Sequence, residues 1–216
     1  MSPAPRNDGP RVSEDAAAGP GGRAGRASRA TGETKVEARW DLDGAGRADT
    51  ATGVPFLDHM LEQIARHGRF DLSVAASGDL EVDAHHTVED VGIALGRAFK
   101  EAVGAGAGIF RYASAHAPLD EALVLAVVDV SGRPYLHYAV PVTRQRLGAY
   151  DTDLTEEFFR AFAVNAGITL HMMLLHGRNG HHIIEAAFKA LALALDRATQ
   201  RDPRVAGVPS TKGTLA

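Results

Sequence analysis

One short pattern occurs twice in this chain, and each copy carries two histidines and a glutamate at the spacing of a helical face. The first copy is His85-His86-Thr87-Val88-Glu89, and the second is His181-His182-Ile183-Ile184-Glu185. Residues four apart lie on the same face of a helix, so the first histidine and the glutamate of each copy can bind one cation. The pattern therefore predicts metal chemistry on two helices.

The two histidines within each copy point in different directions. Adjacent residues on an α-helix are rotated by about 100°, so His85 and His86 cannot comfortably bind the same ion. The same holds for His181 and His182. Each pair therefore indicates two metal ions, or one metal ion and one contact with a substrate.

A further candidate ligand precedes each copy, on the helix before it. His59 lies 26 residues before His85, and Glu157 lies 24 residues before His181. The candidate ligands are imidazoles and carboxylates, four for each of two ions: His59, His85, His86, Glu89, Glu157, His181, His182 and Glu185. Four protein ligands leave open positions in an octahedral shell, as a catalytic metal requires. Such a set suits Mn²⁺, Fe²⁺ or Zn²⁺, and the sequence does not choose among them.

The composition excludes several other classes of function. The 216 residues include no cysteine, which excludes disulfides, thiolate metal sites and cysteine nucleophiles. The formal net charge of −4 is scattered along the chain and argues against binding to nucleic acid. No apolar run reaches the roughly 18 residues of a membrane span, so we expect no membrane contact. Residues 1–27 have almost no large apolar side chain and no apolar signal segment, which predicts a disordered tail and a cytoplasmic protein.

The elements that must position these residues follow in the same order twice. Apolar periodicity and turn residues predict, for the first half, strands at Thr34–Leu42, Asp71–Ala76 and Asp79–Asp83 and helices at 55–68 and 87–102. For the second half they predict strands at 122–131, 134–142 and 169–175 and helices at 154–166 and 182–199. In each half, strands that run in hairpins are combined with two helices, and the last helix carries the His-His-x-x-Glu pattern.

This repeated order predicts an internal duplication. Hairpin strands with helices gathered on one side are typical of an α+β fold with antiparallel or mixed sheets and helices packed together. The predicted half-domains are residues 28–115 and 116–206. Residues 207–216 form a Gly/Pro/Ser/Thr-rich tail that carries one basic residue, Lys212.

Several longer segments resemble those of one enzyme family, and they lie in order along most of the chain. They are GVPFLDHML at 53–61, DAHHTVED at 83–90, DVSGRP at 129–134, GHHIIEA at 180–186 and PSTKG at 209–213. These segments are similar to those of the imidazoleglycerol-phosphate dehydratases, which catalyse the dehydration step of histidine biosynthesis. The resemblance extends from about Arg29 to Leu215 and leaves out only the N-terminal tail.

The resemblance implies a fold, a metal and an assembly that the spacing did not show. The family's half-domain resembles the second domain of ribosomal protein S5. The family uses two Mn²⁺ ions per active site and assembles into a homo-oligomer of 24 subunits, in which neighbouring subunits contribute ligands to one active site. The metal ligands carried over are the eight histidines and glutamates already given. Position 157, a histidine in some members, is a glutamate in this chain.

The resemblance also implies contacts with a small-molecule phosphate substrate. Glu33 matches a glutamate that contacts the substrate, and the five ligand histidines would surround its imidazole ring. The expected contacts to its glycerol-phosphate portion are His67, Arg111, Arg133, Lys189, Ser210 and Lys212. A doubly charged phosphate is favoured by several cations and hydroxyl donors, which agrees with this set.

The implied reaction removes water from D-erythro-imidazole-glycerol phosphate and gives imidazole-acetol phosphate. The proton at C2 of the glycerol chain is not acidic beside a neutral imidazole. We therefore expect the ring to bind both metals as an imidazolate, to expel the C3 hydroxide through a diazafulvene-like intermediate, and then to lose the C2 proton. Glu33 is the expected proton-transfer group, and Glu185 is the alternative.

Three other functions remain open from the residues alone. A different dinuclear enzyme acting on a small phosphate ester would share the His and Glu ligands and the cations. A metal-storage module would leave Arg111, Arg133, Lys189 and Lys212 unexplained. A nucleic-acid-binding protein is disfavoured by the acidic charge balance.

Overall fold

The computed structural model describes residues 22–215, and the first half of this range is a mixed sheet with two helices. Its strands are β1 (Ala24–Ala30), β2 (Thr34–Asp41), β3 (Ala48–Ala51) and β4 (Asp71–Gly78). Its helices are α1 (Pro55–Gly68) and α2 (His85–Val103). The sheet order is β1-β2-β4-β3, in which β3 runs parallel to β4 and the other pairs are antiparallel.

The second half repeats this arrangement. Its strands are β5 (Tyr112–Leu119), β6 (Ala122–Asp129), β7 (Tyr135–Ala139), β8 (Arg146–Leu147), β9 (Tyr150–Asp151) and β10 (Thr169–His176). Its helices are α3 (Leu154–Ala166) and α4 (Gly180–Thr199). The main sheet has the order β5-β6-β10-β7, with β7 parallel to β10, and β8 and β9 form a small separate ribbon. The duplicated α+β architecture predicted from the sequence is therefore confirmed.

The two halves match residue by residue at their first hairpins. The β1–β2 hairpin turns at Gly32-Glu33, where the Thr31 N–H donates to the Thr34 carbonyl at 2.9 Å. The β5–β6 hairpin turns at Asp120-Glu121, between the paired residues Leu119 and Ala122. A glutamate therefore immediately precedes the second strand in both halves.

The helices of one half pack against those of the other: α2 lies along α3, and α1 lies along α4. Glycines permit the close approach of α2 and α3. A Cβ at Gly92 would lie 2.9 Å from the Phe158 carbonyl, and one at Gly96 would lie 2.6 Å from the Phe162 carbonyl. The same pairs of positions show that α2 and α3 run in the same direction.

The core joins both halves through aromatic side chains. Trp40 of β2 is fully buried, and its ring centroid lies 5.1 Å from that of Phe70 and 5.2 Å from that of Phe99. Phe162 of the second half stacks on the same ring at 5.6 Å. Aromatic pairs at these separations add to the stability gained from apolar burial.

All four predicted helices are present, but α2 and α4 begin two residues earlier than predicted, at His85 and Gly180. Local signals fix several of the helix ends. Pro55 is the first residue of α1, where its missing N–H costs nothing. The Asn179 side chain caps α4 by accepting from the His181 N–H at 3.0 Å. Gly167, at φ 67°, ends α3 in the left-handed conformation that favours glycine.

The predicted strand pairing was wrong in two places. The strands expected at 122–131 and 134–142 do not form a hairpin, because β6 and β7 lie on opposite sides of β10. The strand expected at Asp79–Asp83 is a turn, and β4 ends at Gly78. Periodicity reveals a buried face but does not identify the partner strand, which depends on contacts distant in sequence.

Two predicted boundaries also change. Strand β1 begins at Ala24, inside the predicted tail of residues 1–27, and residues 1–21 of that tail lie outside the described residues. Strand β5 spans residues 112–119 and crosses the predicted boundary between residues 115 and 116. Both strands were missed because they are rich in alanine and exposed polar residues. Within residues 22–215, no helix has both the length and the apolar character to cross a membrane.

Candidate functional site

The beginnings of α1 and α4 bring together three of the predicted metal ligands. The Glu185 Oε2 lies 3.3 Å from the His59 Nε2 and 3.1 Å from the His181 Nε2. One ligand atom from each of these residues lies within 4.8 Å of the others, and this is the one such group of three among the described residues. A single cation could be bound by all three side chains.

Glu185 is the most enclosed member of this group. Its side chain is 11% exposed, and its Oε1 accepts a hydrogen bond from the Lys189 ammonium at 2.6 Å. Burial opposes ionisation of Glu185, but Lys189, the hydrogen bond with His181 and the charge of His59 outweigh it and lower the pKa of the carboxyl. Glu185 is therefore held as a carboxylate, the form that binds metal ions.

The pairing of upstream ligands differs from the predicted one. His59 was expected to serve the pattern of its own half, but it lies against His181 and Glu185 of the other half. The reason is the packing of α1 along α4, which a second contact supports at the far end, where Arg69 bonds Asp196 at 2.5 Å. His59 of the first half joins candidate ligands of the second half because α1 and α4 pack across the repeat.

The other predicted ligands lie at the corresponding place on α2 and α3. The His85 Nε2 is 3.9 Å from the Glu89 Oε2, and both side chains are nearly half exposed. Ala161 of α3 faces Gly92 of α2. Glu157 lies about one turn before Ala161, and Glu89 lies about one turn before Gly92. Because the two helices run in the same direction, Glu157 and Glu89 lie at the same level. The Glu157 carboxylate bonds Arg160 at 3.3 Å and is not gathered with His85 and Glu89 into a three-ligand group.

The second histidine of each pair is anchored by a carboxylate that sequence reasoning missed. The His86 Nδ1 lies 3.0 Å from the Asp79 Oδ2, and the His182 Nδ1 lies 2.8 Å from the Glu121 Oε2. The hydrogen bond with Asp79 raises the pKa of His86, and that with Glu121 raises the pKa of His182. In return, His182 and two backbone N–H groups lower the pKa of Glu121 to about 2.

Glu33 lies next to the first of these anchored histidines. Its Oε2 is 3.7 Å from the His86 Nδ1, and the side chain is 57% exposed. The carboxylate therefore reaches the candidate site from the β1–β2 turn. The exposed Glu33 side chain can change its orientation, whereas the enclosed Glu185 side chain is held by Lys189.

Two adjacent clefts connect the histidines. One, of about 680 Å³, is lined by His181, His182 and Glu185, and the other, of about 800 Å³, is lined by His59 and His85. The clefts share three lining residues, Phe56, Leu147 and Gly148. Sequence reasoning missed two arginines that line these clefts. Arg144 lies in a loop and Arg146 in the two-residue strand β8, and neither belongs to a sequence motif or a predicted element.

The predicted phosphate contacts fall into two groups. Arg111 donates to both Asp129 oxygens, at 2.8 and 3.2 Å, and to the Pro209 carbonyl at 2.8 Å. Arg133 lies 3.7 Å from Asp129, so both arginines lie near the start of the C-terminal tail. In that tail the Lys212 N–H donates to the Ser210 Oγ at 3.2 Å, and the Lys212 side chain is exposed.

The remaining two contacts, His67 and Lys189, lie on α1 and α4 beside Glu185. Burial, followed by the positive charge of Lys189, lowers the pKa of His67, so the ring is neutral near neutral pH. One chain thus brings Arg111, Arg133 and the tail together, and separately His67 and Lys189. Within residues 22–215, no hydrogen bond or ion pair joins the two groups.

The donor set fits a divalent transition metal. Imidazole nitrogen and carboxylate oxygen suit Mn²⁺, Fe²⁺ and Zn²⁺, and the absence of cysteine excludes thiolate ligation. The three convergent atoms of His59, His181 and Glu185 leave coordination positions for a substrate.

Comparison with known proteins places the chain in one enzyme family. Residues 52–195 match the family model "Imidazoleglycerol-phosphate dehydratase". The imidazoleglycerol-phosphate dehydratase of Symbiobacterium thermophilum is 61% identical over 193 residues, which cover 89% of this chain and 93% of that protein. That of Aromatoleum aromaticum is 58% identical over 194 residues, which cover 89% of this chain and all of that protein.

Solved structures of the same family share the fold. The crystal structure of the Staphylococcus aureus imidazoleglycerol-phosphate dehydratase is 37% identical, with a TM-score of 0.75, and the match covers 83% of this chain and 99% of that one. The Pyrococcus furiosus structure is 36% identical with a TM-score of 0.75, over 87% of this chain and 99% of that one. From the matched sequence and fold, this chain is an enzyme of the hydro-lyase class that belongs to the imidazoleglycerol-phosphate dehydratase family.

Proposed function

We propose that the chain dehydrates D-erythro-imidazole-glycerol phosphate to imidazole-acetol phosphate in histidine biosynthesis. The convergence of His59, His181 and Glu185 at one point carries this proposal, together with the family match. The reaction needs a ring that can accept electrons, and this ligand group provides a place for a metal beside a ring nitrogen. The cytoplasmic location expected from the sequence stays a prediction.

We assign one metal to each copy of the pattern. His59, His181 and Glu185 would hold one Mn²⁺, and His85, Glu89 and Glu157 would contribute to the other. His86 would complete the first of these sets and His182 the second, so that adjacent histidines bind different ions. Each would bind through its Nε2 atom, because its Nδ1 atom faces a carboxylate. The metals, when bound, supply the Lewis acidity that stabilises the substrate ring as an imidazolate.

Glu33 is the proposed proton-transfer residue, and Glu185 is not. Glu33 is exposed, lies at the edge of the site and approaches His86 at 3.7 Å without being fixed there. Glu185 is enclosed and engaged by Lys189, His59 and His181, which suits a fixed ligand. A group that moves a proton must reach the reacting atom, and the freedom of Glu33 meets that requirement.

The cations are proposed to bind the phosphate of the substrate. Arg111 and Arg133 lie at the base of the tail that carries Ser210 and Lys212, and Arg111 already bonds the Pro209 carbonyl. Binding the phosphate would fix the glycerol chain relative to the metals, which lowers the entropy cost of reaching the reactive geometry. His67 and Lys189 would meet the same phosphate from α1 and α4.

We also propose that the chain acts as a homo-oligomer of 24 subunits with active sites at subunit interfaces. In support, the His85–Glu89 pair is nearly half exposed and lacks a third convergent ligand within the described residues of one chain. The separation of the two cation groups within one chain agrees with a site that a neighbouring subunit completes.

A product assay tests this function against a dinuclear hydrolase of phosphate esters. Purified protein with Mn²⁺ is given imidazole-glycerol phosphate, and both the keto product and inorganic phosphate are measured. The proposal predicts the keto product with its phosphate retained. Release of inorganic phosphate without keto product would overturn it.

A further inference from the structure

The internal duplication allows the two halves to be compared position by position around the second histidine of each pair. In the first half, Gly78 at the end of β4 pairs with Thr34, the residue after Glu33. In the second half, a Cβ on Gly177 would lie 3.2 Å from Ala122, the residue after Glu121. Gly78 and Gly177 are therefore equivalent positions.

The residues that follow these glycines differ in charge. Asp79 follows Gly78, and Arg178 follows Gly177. Asp79 accepts a hydrogen bond from the His86 Nδ1 at 3.0 Å. A guanidinium has no hydrogen-bond acceptor, so the Arg178 side chain cannot accept a hydrogen bond from the His182 Nδ1.

In the second half, Glu121 at the turn of the β5–β6 hairpin is the hydrogen-bond acceptor for the histidine. The Glu121 Oε2 accepts from the His182 Nδ1 at 2.8 Å. Its Oε1 accepts from the backbone N–H groups of Asn179 at 2.7 Å and Arg178 at 3.2 Å. Glu121 therefore fixes both the ring and the loop that leads into α4.

Glu33, the equivalent glutamate of the first half, does not anchor its histidine. Glu33 approaches the His86 Nδ1 only to 3.7 Å, because Asp79 already occupies that nitrogen. The two hairpin glutamates thus have the same place in the repeat and different surroundings.

We infer that Glu121 is a positioning residue that orients His182 for metal binding, as Asp79 orients His86, and that this division leaves Glu33 free for proton transfer. A carboxylate only accepts hydrogen bonds, so it holds the proton on Nδ1 and leaves the lone pair of Nε2 for the metal. The inference rests on the proposed function, since it assumes that His86 and His182 bind metal.

The isosteric substitution Glu121→Gln tests the orientation of the ring. The amide has one oxygen, and the backbone N–H groups of Arg178 and Asn179 occupy it, so its NH₂ group faces the His182 Nδ1. The ring proton then moves to Nε2 and blocks the metal. In metal-free protein at alkaline pH, ¹⁵N chemical shifts of the rings should show His182 protonated on Nδ1 in the unsubstituted protein and on Nε2 in the variant.

Metal affinity provides the second readout, and Glu33→Gln is the matched control at the equivalent position. Loss of such an anchor costs about 10-fold to 100-fold in metal affinity. Competition of Mn²⁺ between protein and a chelator should show this loss for Glu121→Gln and for Asp79→Ala, and affinity within about twofold of the unsubstituted protein for Glu33→Gln.

Neither readout needs turnover, so their outcome is separate from that of the dehydration assay. Unchanged His182 protonation and Mn²⁺ affinity in Glu121→Gln would overturn the inference, as would an equal loss of Mn²⁺ affinity in Glu33→Gln. If Glu121→Gln fails to fold, the ¹⁵N shifts of the unsubstituted protein still test the inference. A His182 ring protonated only on Nε2 would contradict the assigned orientation.

Discussion

Glu33 and Glu185 show how environment separates two carboxylates near one site. Glu185 is enclosed and bonded to Lys189 at 2.6 Å, whereas Glu33 is exposed and has no contact closer to a site histidine than 3.7 Å. A fixed carboxylate suits metal binding, and a free one suits proton transfer.

Replacing Glu33 by Gln should lower kcat by about 100-fold to 10,000-fold, the range typical of a lost general acid–base group. The amide has the same shape but cannot accept a proton, so Mn²⁺ content and substrate affinity should stay close to those of the unsubstituted enzyme. The measurement is kcat and KM with metal analysis of the same sample. Near-normal turnover would remove Glu33 from the role.

Replacing Lys212 by Ala should raise KM by about tenfold or more, because a charge-assisted hydrogen bond contributes roughly 1.5–3 kcal/mol. Its exposed side chain has no partner in the contacts described for the tail, which suits a group that meets a ligand. The matched control is Lys100→Ala, an exposed lysine on α2. Equal KM values for both variants would exclude Lys212 from phosphate binding.

The sequence pointed to the histidines and glutamates of the candidate site because their spacing on a helix is a local property. It did not allow Asp79 and Glu121 to be found, since each meets its histidine through a turn or across a hairpin. A comparison of the two halves at Glu33 and Glu121 could have suggested the second, because both glutamates precede the second strand of a hairpin.

At the scale of elements, the pairing of helices decides which ligands meet. α1 lies along α4 and α2 lies along α3, so the upstream helix of each half packs against the His-His helix of the other half. The helices themselves were predictable from Pro55 and from apolar periodicity, whereas the Asn179 cap, which starts α4 two residues earlier than predicted, was missed. Their partners were not, because packing across a repeat leaves no local signal.

Replacing Gly96 by Ala tests the close contact of α2 and α3. The new Cβ would lie 2.6 Å from the Phe162 carbonyl and 2.9 Å from the Ala166 nitrogen, and backbone cannot easily move away. Such overpacking costs about 1–3 kcal/mol, from which a helix-propensity gain of up to about 1 kcal/mol is subtracted.

The measurement is the urea midpoint, with Lys100→Ala on the exposed face of α2 as the control. The account predicts a lower midpoint for Gly96→Ala and little change for the control. A stability equal to or above that of the unsubstituted protein would contradict the described helix packing.

At the scale of the whole molecule, the duplication forms one core and not two. The fully buried Trp40 contacts Phe70 and Phe99 of its own half and Phe162 of the other. The sequence indicated the duplication but not this shared centre, and it placed the boundary between halves inside β5. Long-range burial, and not local pattern, determines how the halves meet.

A shared core predicts that both halves unfold together. Trp40 is the one tryptophan of the chain, so its fluorescence reports the centre of the core, while far-UV circular dichroism reports both halves. At a fixed protein concentration, the two signals should give the same midpoint in urea. Separate midpoints would show that the halves unfold independently.

The central claim is that the two His-His-x-x-Glu helices hold the metals on which dehydration depends. The most direct measurement is metal analysis combined with the dehydration assay, before chelation, after chelation and after Mn²⁺ is restored. The account predicts that activity falls with the bound metal and returns with Mn²⁺. Full dehydration activity in protein shown to be free of metal would contradict it.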